Sequence, residues 1–221
     1  MSRGELSRDV PLTLGASALL FIDVQVFGGR RDGGEFALLS EREREERYGW
    51  YFRTLEHSTI PAMQRIQRAC RSARIEVLYT VIESLTRDGR DMSLDYKITG
   101  FHVPRGSRDA QVLDEIAPAG DEIVLPKSSS SVFISTNIDY LLRNLGVRHL
   151  ALAGLLTDQC VESAVRDACD LGYLVTLVTD ACATLSQERH DNSLRAIRGY
   201  CRQVTSDELV VEIEKLVAGA R

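Results

Sequence analysis

The strongest chemical signal lies in Gly154-Leu-Leu-Thr-Asp-Gln-Cys160-Val-Glu-Ser-Ala-Val-Arg-Asp-Ala168. An apolar run over 149–156 ends in a turn, and Val161, Ala164, Val165 and Ala168 then follow the spacing of one helix face. Thr157 or Asp158 is placed to cap that helix, which puts Cys160 in its first turn. Unpaired N–H groups and the positive end of the helix dipole there favour a thiolate over a thiol. Cys160 is a candidate nucleophile, with a small buried hydrophobe as the competing reading. Two other reactive side chains follow apolar runs. Ala18-Leu-Leu-Phe-Ile22 leads into Asp23 and then Gln25, and Val124-Leu-Pro leads into Lys127.

In an open parallel sheet, ligands bind beyond the carboxyl ends of the strands. An acid, a thiol and an amine at three strand ends therefore converge on one sheet edge. Alone, Asp23 could cap a turn and Lys127 could be solvated; the coincidence of all three is what points to chemistry. The elements that must position them read as strands over 17–24, 75–82, 122–125, 149–153, 174–179 and, more weakly, 202–205. Helical patterns cover 59–72, 136–145, 158–171, 186–200 and 206–218, with Ile138, Leu141, Leu142 and Leu145 as the core stripe of the second. Gly146 and Gly172 fall where helix C-caps are expected. Strands alternating with helices define an α/β fold: a Rossmann-like, open, mainly parallel six-stranded sheet with helices on both faces. Residues 1–221 are expected to form one domain. The polar segment over 84–107 is too long for an ordinary connection and suggests a lid.

With 44% hydrophobic and 27% charged residues, the 221-residue chain can bury a normal core. Its net charge of −5 argues against a nucleic-acid binder. No apolar run approaches the roughly 20 residues that span a bilayer, and the first residues carry no apolar signal region, so no membrane partner and a cytoplasmic location are expected. Five cysteines (70, 160, 169, 182, 201) form no CxxC pair, and four histidines (57, 102, 149, 190) show no HxH or HExxH spacing. No metal site and no cofactor are expected. No GxGxxG follows the first strand, which disfavours dinucleotide binding.

Three ordered motifs carry a family resemblance over 17 to about 205. They are Phe21-Ile-Asp23-Val-Gln25; Pro126-Lys127 with Ser131-Val-Phe133-Ile-Ser-Thr136; and Gly154 to Val161 with Ala164-Val-Arg-Asp-Ala168. The chain resembles the isochorismatase-like cysteine hydrolases, the group that includes nicotinamidase, N-carbamoylsarcosine amidohydrolase, ureidoacrylate amidohydrolase and biuret hydrolase. The resemblance implies a catalytic triad of Asp23, Lys127 and Cys160. It also implies a cis peptide at Leu155–Leu156 and an oxyanion hole made by the backbone N–H groups of Leu156 and Cys160. The implied activity is amide or ureide hydrolysis through a thioacyl enzyme, with release of ammonia or an amine. Asp23 would take the thiol proton and Lys127 would balance charge.

Two departures narrow this. Nicotinamidases of the group carry a metal site with histidines after the second strand, whereas the segment from Thr80 to Asp91 here has none. Isochorismatases proper cleave a vinyl ether and lack the nucleophilic cysteine, so Cys160 favours C–N cleavage. Gln25, Glu83 and Phe133 are expected at the substrate, and Arg87 or Arg90 could hold a carboxylate, with Arg90 preferred. Trp50, Tyr51 and Phe52 read as core or interface, the segment over 188–192 as an exposed helix start. The expected partner is a small amide or ureide, and the expected assembly is a homo-oligomer, dimer or tetramer. The competing functions are a vinyl-ether hydrolase and a non-catalytic or redox-sensing binding module on the same fold.

Overall fold

A computed structural model describes residues 6–220. The apolar runs form β1 (Ser17–Ile22), β2 (Glu76–Ile82), β3 (Ile123–Lys127), β4 (His149–Leu155), β5 (Leu174–Ala183) and β6 (Arg202–Val204). They build a six-stranded sheet in the order β3-β2-β1-β4-β5-β6, with every adjacent pair parallel. From β1 the chain winds outward to β3, then returns to the other side of β1 as β4. The switch point between β1 and β4 opens a crevice at their carboxyl ends.

β3 runs two residues past its expected end, through Pro126 to Lys127. Proline lacks an N–H for the ladder, but β3 is an edge strand, where that loss is tolerated. Lys127 is thereby held in register with Ile82. β1 stops at Ile22, because Asp23 leaves the strand conformation with a φ of 53°.

Around the sheet lie α1 (Val26–Gly29), α2 (Glu41–Thr54), α3 (Ile60–Ser72), α4 (Leu94–Thr99), α5 (Val132–Ser135), α6 (Ile138–Asn144), α7 (Glu162–Asp170), α8 (Gln187–Ile197) and α9 (Ser206–Gly219). The charged stretch 41–47 opens α2 behind a capping box in which Ser40 and Glu43 satisfy each other's backbone N–H. A π-helical turn, Leu55–Thr59, joins α2 to α3. Alternate residues of β1 feed two cores. Leu19 and Phe21 pack with Met63 and Ile66 of α3 and with Leu209 and Ile213 of α9. Leu20 and Ile22 pack with Leu142 of α6, Val165 of α7 and Ile197 of α8. Tyr51 and Phe52 are fully buried in the first core, with Trp50 against it.

The 84–107 segment is not a featureless loop. It contains α4 and a small core of its own, with Met92, Tyr96 and Val103 packed on Ile82. Ser84 N–H donates to Val103 O and Ser93 N–H to Ser128 O, both at 2.8 Å, so the segment is tied to the end of β2 and to the loop after β3. Among the described residues, no helix is long and apolar enough to cross a membrane.

Candidate active site

Three strand ends deliver three reactive side chains to one point. Lys127 Nζ stands 2.8 Å from Asp23 Oδ2 and 3.4 Å from Cys160 Sγ. All three side chains are buried, Asp23 at 4% exposure, Lys127 at 1% and Cys160 at 5%.

Asp23 is positioned by its backbone as much as by its side chain. Its left-handed φ of 53° is uncommon for a residue with a Cβ and costs about 1 kcal/mol. β2 holds it there: Asp23 N–H donates to Thr80 O at 3.1 Å, and the Thr80 hydroxyl donates to Asp23 Oδ1 at 2.9 Å. Oδ2 faces the Lys127 ammonium but accepts no well-aligned hydrogen bond, which leaves it open to a proton from the thiol.

Lys127 directs its ammonium at Asp23, at Ser129 O (2.8 Å) and at the Tyr96 hydroxyl (3.0 Å). Burial alone would lower its pKa. The charge of Asp23 and the neighbouring Cys160 outweigh this and hold it above the usual lysine value, so the group is an ammonium. Two charges sealed from water without partners would be strongly destabilising; mutual pairing and the surrounding hydrogen bonds compensate them.

Cys160 sits in a π-helical turn, Thr157–Val161, just ahead of α7. Neither Thr157 nor Asp158 caps this helix, contrary to expectation. Asp158 instead pairs with Arg189 at 2.6 Å and accepts the Thr184 hydroxyl at 2.5 Å. The Thr157 hydroxyl meets His190 Nδ1 at 2.9 Å. The 188–192 segment, expected to be an exposed helix start, thus braces the nucleophile turn from α8. The expected thiolate is also corrected. Burial pushes the Cys160 thiol up to about 11, against the opposing pull of Lys127. Desolvation outweighs the helix terminus, and the resting group is a thiol.

Cys160 opens onto a cavity of about 110 Å³ whose lining includes Asp23, Leu155, Leu156 and Gln159. The Leu155–Leu156 peptide bond is cis, and β4 ends at Leu155, so Leu156 lies outside the sheet.

Of the expected substrate contacts, Gln25 alone reaches the cavity, and its amide is already engaged. It donates to Ile82 O at 2.9 Å and to Asp109 O at 2.8 Å, and it accepts from Ile82 N–H at 2.5 Å. It clamps β1 to the end of β2. Glu83, Arg90 and Phe133 do not line the cavity. Glu83, expected at the substrate, instead accepts the Gly106 N–H at 2.7 Å and braces that loop. Arg90 is exposed and paired with Asp88 at 3.1 Å, and Arg87 is exposed as well. Phe133 lies against Tyr173, with ring centroids 6.0 Å apart, on the core side of α5.

Tyr96 was missed. Its buried hydroxyl stands 3.6 Å from Cys160 Sγ as well as against Lys127. The sequence signal was the N-cap Ser93 ahead of α4, whose side chain accepts Tyr96 N–H and sets that turn. Among the described residues, no group of three or more His, Cys, Asp or Glu side chains is arranged to hold a metal ion.

A buried acid–amine–thiol cluster at the switch point of a parallel sheet defines a hydrolase-like α/β architecture. The isochorismatase domain matches residues 17–208, and the chain belongs to the isochorismatase family. Its fold is similar to that of a cysteine hydrolase from Pseudomonas syringae pv. phaseolicola, with a TM-score of 0.77 at 22% identity over 98% of this chain and 100% of that one. It is similar to an N-carbamoylsarcosine amidase from Thermoplasma acidophilum, with a TM-score of 0.66 at 24% identity over 87% and 97%. A pyrazinamidase/nicotinamidase from Streptococcus mutans shares the fold with a TM-score of 0.69 at 22% identity over 86% and 100%.

Proposed function

We propose that the protein is a cysteine amidohydrolase that cleaves the C–N bond of a small amide or ureide. One observation carries this reading: a buried thiol, 3.4 Å from an ammonium that is itself ion-paired to Asp23, at the floor of a small cavity. A sensing thiol needs neither a buried base nor a buried cation, and vinyl-ether hydrolysis leaves the thiol without a task.

The resting thiol requires a base at the moment of attack. As Cys160 Sγ bonds to the carbonyl carbon, its proton passes to Asp23 and the carbonyl electrons move onto oxygen. The backbone N–H groups of Leu156 and Cys160 receive that oxyanion; each such donor is worth roughly 3 kcal/mol of barrier in comparable sites. Collapse breaks the C–N bond, and Asp23 returns its proton to the departing nitrogen. A water then attacks the thioester, giving a proton to Asp23. The C–S bond breaks, the acid product leaves, and the proton returns to sulfur. Lys127 stays an ammonium throughout and offsets the negative charge that moves between Asp23 and Cys160.

The test is ammonia release from a panel of small uncharged amides and ureides. Turnover by the wild type that falls at least about 10³-fold in Cys160→Ala supports the reading. Retained turnover in that variant, or none by the wild type on any member, overturns it.

A further inference from the structure

The cavity lining has a composition that the chemistry of amide cleavage does not require. The lining includes the aromatic side chains Phe27, Phe36, Tyr51 and Phe101 beside the aliphatic Ile82, Leu155, Leu156 and Leu185, and its one carboxylate besides Asp23 is the exposed Glu35. Inside, the charge of Asp23 is balanced by Lys127 at 2.8 Å. Among the described residues, no arginine, lysine or histidine lines the cavity to balance Glu35. The arginines closest in sequence are directed elsewhere: Arg30 to Glu115 at 2.6 Å, Arg31 to Glu45 at 3.1 Å and Glu56 at 3.2 Å, Arg42 to Glu46 at 2.7 Å, and Arg44 to Phe36 O at 3.1 Å and Leu39 O at 2.8 Å.

A neighbouring hollow extends the same pattern. It shares Phe27, Glu35 and Phe101 with the cavity and adds Asp109 and His102. Asp109 is fixed by the Gly34 N–H, which donates to its Oδ2 at 3.2 Å, and this ties the carboxylate to the turn that carries Glu35. The His102 ring is turned to Arg87 O at 3.2 Å. The two hollows together present the Glu35 carboxylate and the aromatic faces of Phe27 and Phe101. Aromatic faces attract cations and repel anions through the ring quadrupole, so the two features act in the same direction.

We propose that this cavity selects by charge, taking cationic and uncharged small amides and rejecting carboxylate-bearing ones, with Glu35 as the residue that sets the preference. As a statement about substrates it rests on the amidohydrolase reading. As a statement about the cavity it does not. It also replaces the expectation that Arg90 holds a substrate carboxylate, since Arg90 lies outside the lining.

The first arm of the test needs no substrate. Cys160 is alkylated with iodoacetamide or with iodoacetate, and the rate at the Cys160 peptide is read by mass spectrometry. The iodoacetate-to-iodoacetamide ratio is divided by the same ratio for a small free thiol. The expected normalised ratio is below one by about threefold to tenfold, the effect of one partly screened charge at close range. Glu35→Gln should raise it towards one, and Glu35→Lys should raise it further. A ratio at or above one in the wild type, or one that neither variant moves, overturns the proposal. The second arm compares turnover of β-alaninamide, propionamide and succinamate, with the anionic amide expected to be the poorest. A charge-dependent alkylation ratio with no turnover of any amide would refute the substrate reading while leaving the cavity's selectivity standing. Equal turnover of all three would refute the selectivity and leave the amidohydrolase reading intact.

Discussion

The Tyr96 hydroxyl accepts a hydrogen bond from Lys127 Nζ at 3.0 Å, and α4, which carries Tyr96, belongs to a segment far from β3 in sequence. The same oxygen lies 3.6 Å from Cys160 Sγ, so one hydroxyl touches both the cation and the thiol. A hydroxyl donating to sulfur helps to hold the thiol's pKa down, against the burial that sets it near 11.

Tyr96→Phe should therefore slow turnover by about tenfold, the scale of one hydrogen bond to a charged or reacting group. The discriminating readout is the pH profile of Cys160 alkylation. In the wild type the rate should climb about tenfold per pH unit from pH 7 to 10, tracking the thiolate fraction below a pKa of about 11. In the variant the profile should lie at higher pH. A slower enzyme with an unmoved profile would make Tyr96 a packing residue.

Lys127→Met should cost about 3–5 kcal/mol of stability, because it leaves Asp23 buried without its partner at 2.8 Å. Adding Asp23→Asn to that variant should recover part of the loss, since the uncompensated charge is then gone. Urea denaturation of the two variants measures the difference. If the double variant is no more stable than the single one, charge burial is not what Lys127 relieves.

Gly154→Ala should be among the most damaging substitutions outside the reactive cluster. Gly154, next to last in β4, has a φ of 145°, and a Cβ there would lie 2.2 Å from Ile22 O, a backbone atom that cannot swing aside. A loss of about 3 kcal/mol or more, read as a lowered Tm, is expected. A variant as stable as the wild type would mean that β1 and β4 can separate at the crevice.

His149 should make the protein sensitive to mild acid. Burial, assisted by the charge of Arg202, pushes its pKa down to about 4, while an unfolded chain takes up the proton near 6.5. The unfolded state binds more protons between these values, so stability falls as pH drops from about 6.5 to 4 and is flat on either side. The loss from this group should be on the order of 2–3 kcal/mol. His149 Nε2 contacts the Thr176 hydroxyl at 2.8 Å, which His149→Gln can partly replace. That variant should show a flatter pH dependence of urea stability across the same window; an unchanged slope would place the sensitivity elsewhere.

Strand ends were the legible part of the site. Apolar runs followed directly by Asp23, Lys127 and the Cys160 turn could be read because strand periodicity and its interruption are local. The same local reading stopped β3 at Leu125, because Pro126 breaks a ladder; only the position of β3 at the sheet edge makes the proline harmless. Thr157 and Asp158 are good caps in isolation, yet Arg189, Thr184 and His190 from beyond β5 take their side chains.

The sequence by itself determined the α/β alternation, the two-sided burial of the sheet and which side chains stand at the carboxyl ends. Those follow from hydrophobic spacing, which acts over a few residues. Tertiary structure alone decided the protonation of Cys160, because desolvation depends on everything packed around the sulfur. It decided that Tyr96 reaches the cluster, and that Glu83, Arg90 and Phe133 face away from the cavity while Glu35 and the aromatic wall face it. Loop side chains acquire direction only from the long-range contacts that fix their backbone, and those contacts leave no periodic trace in the chain.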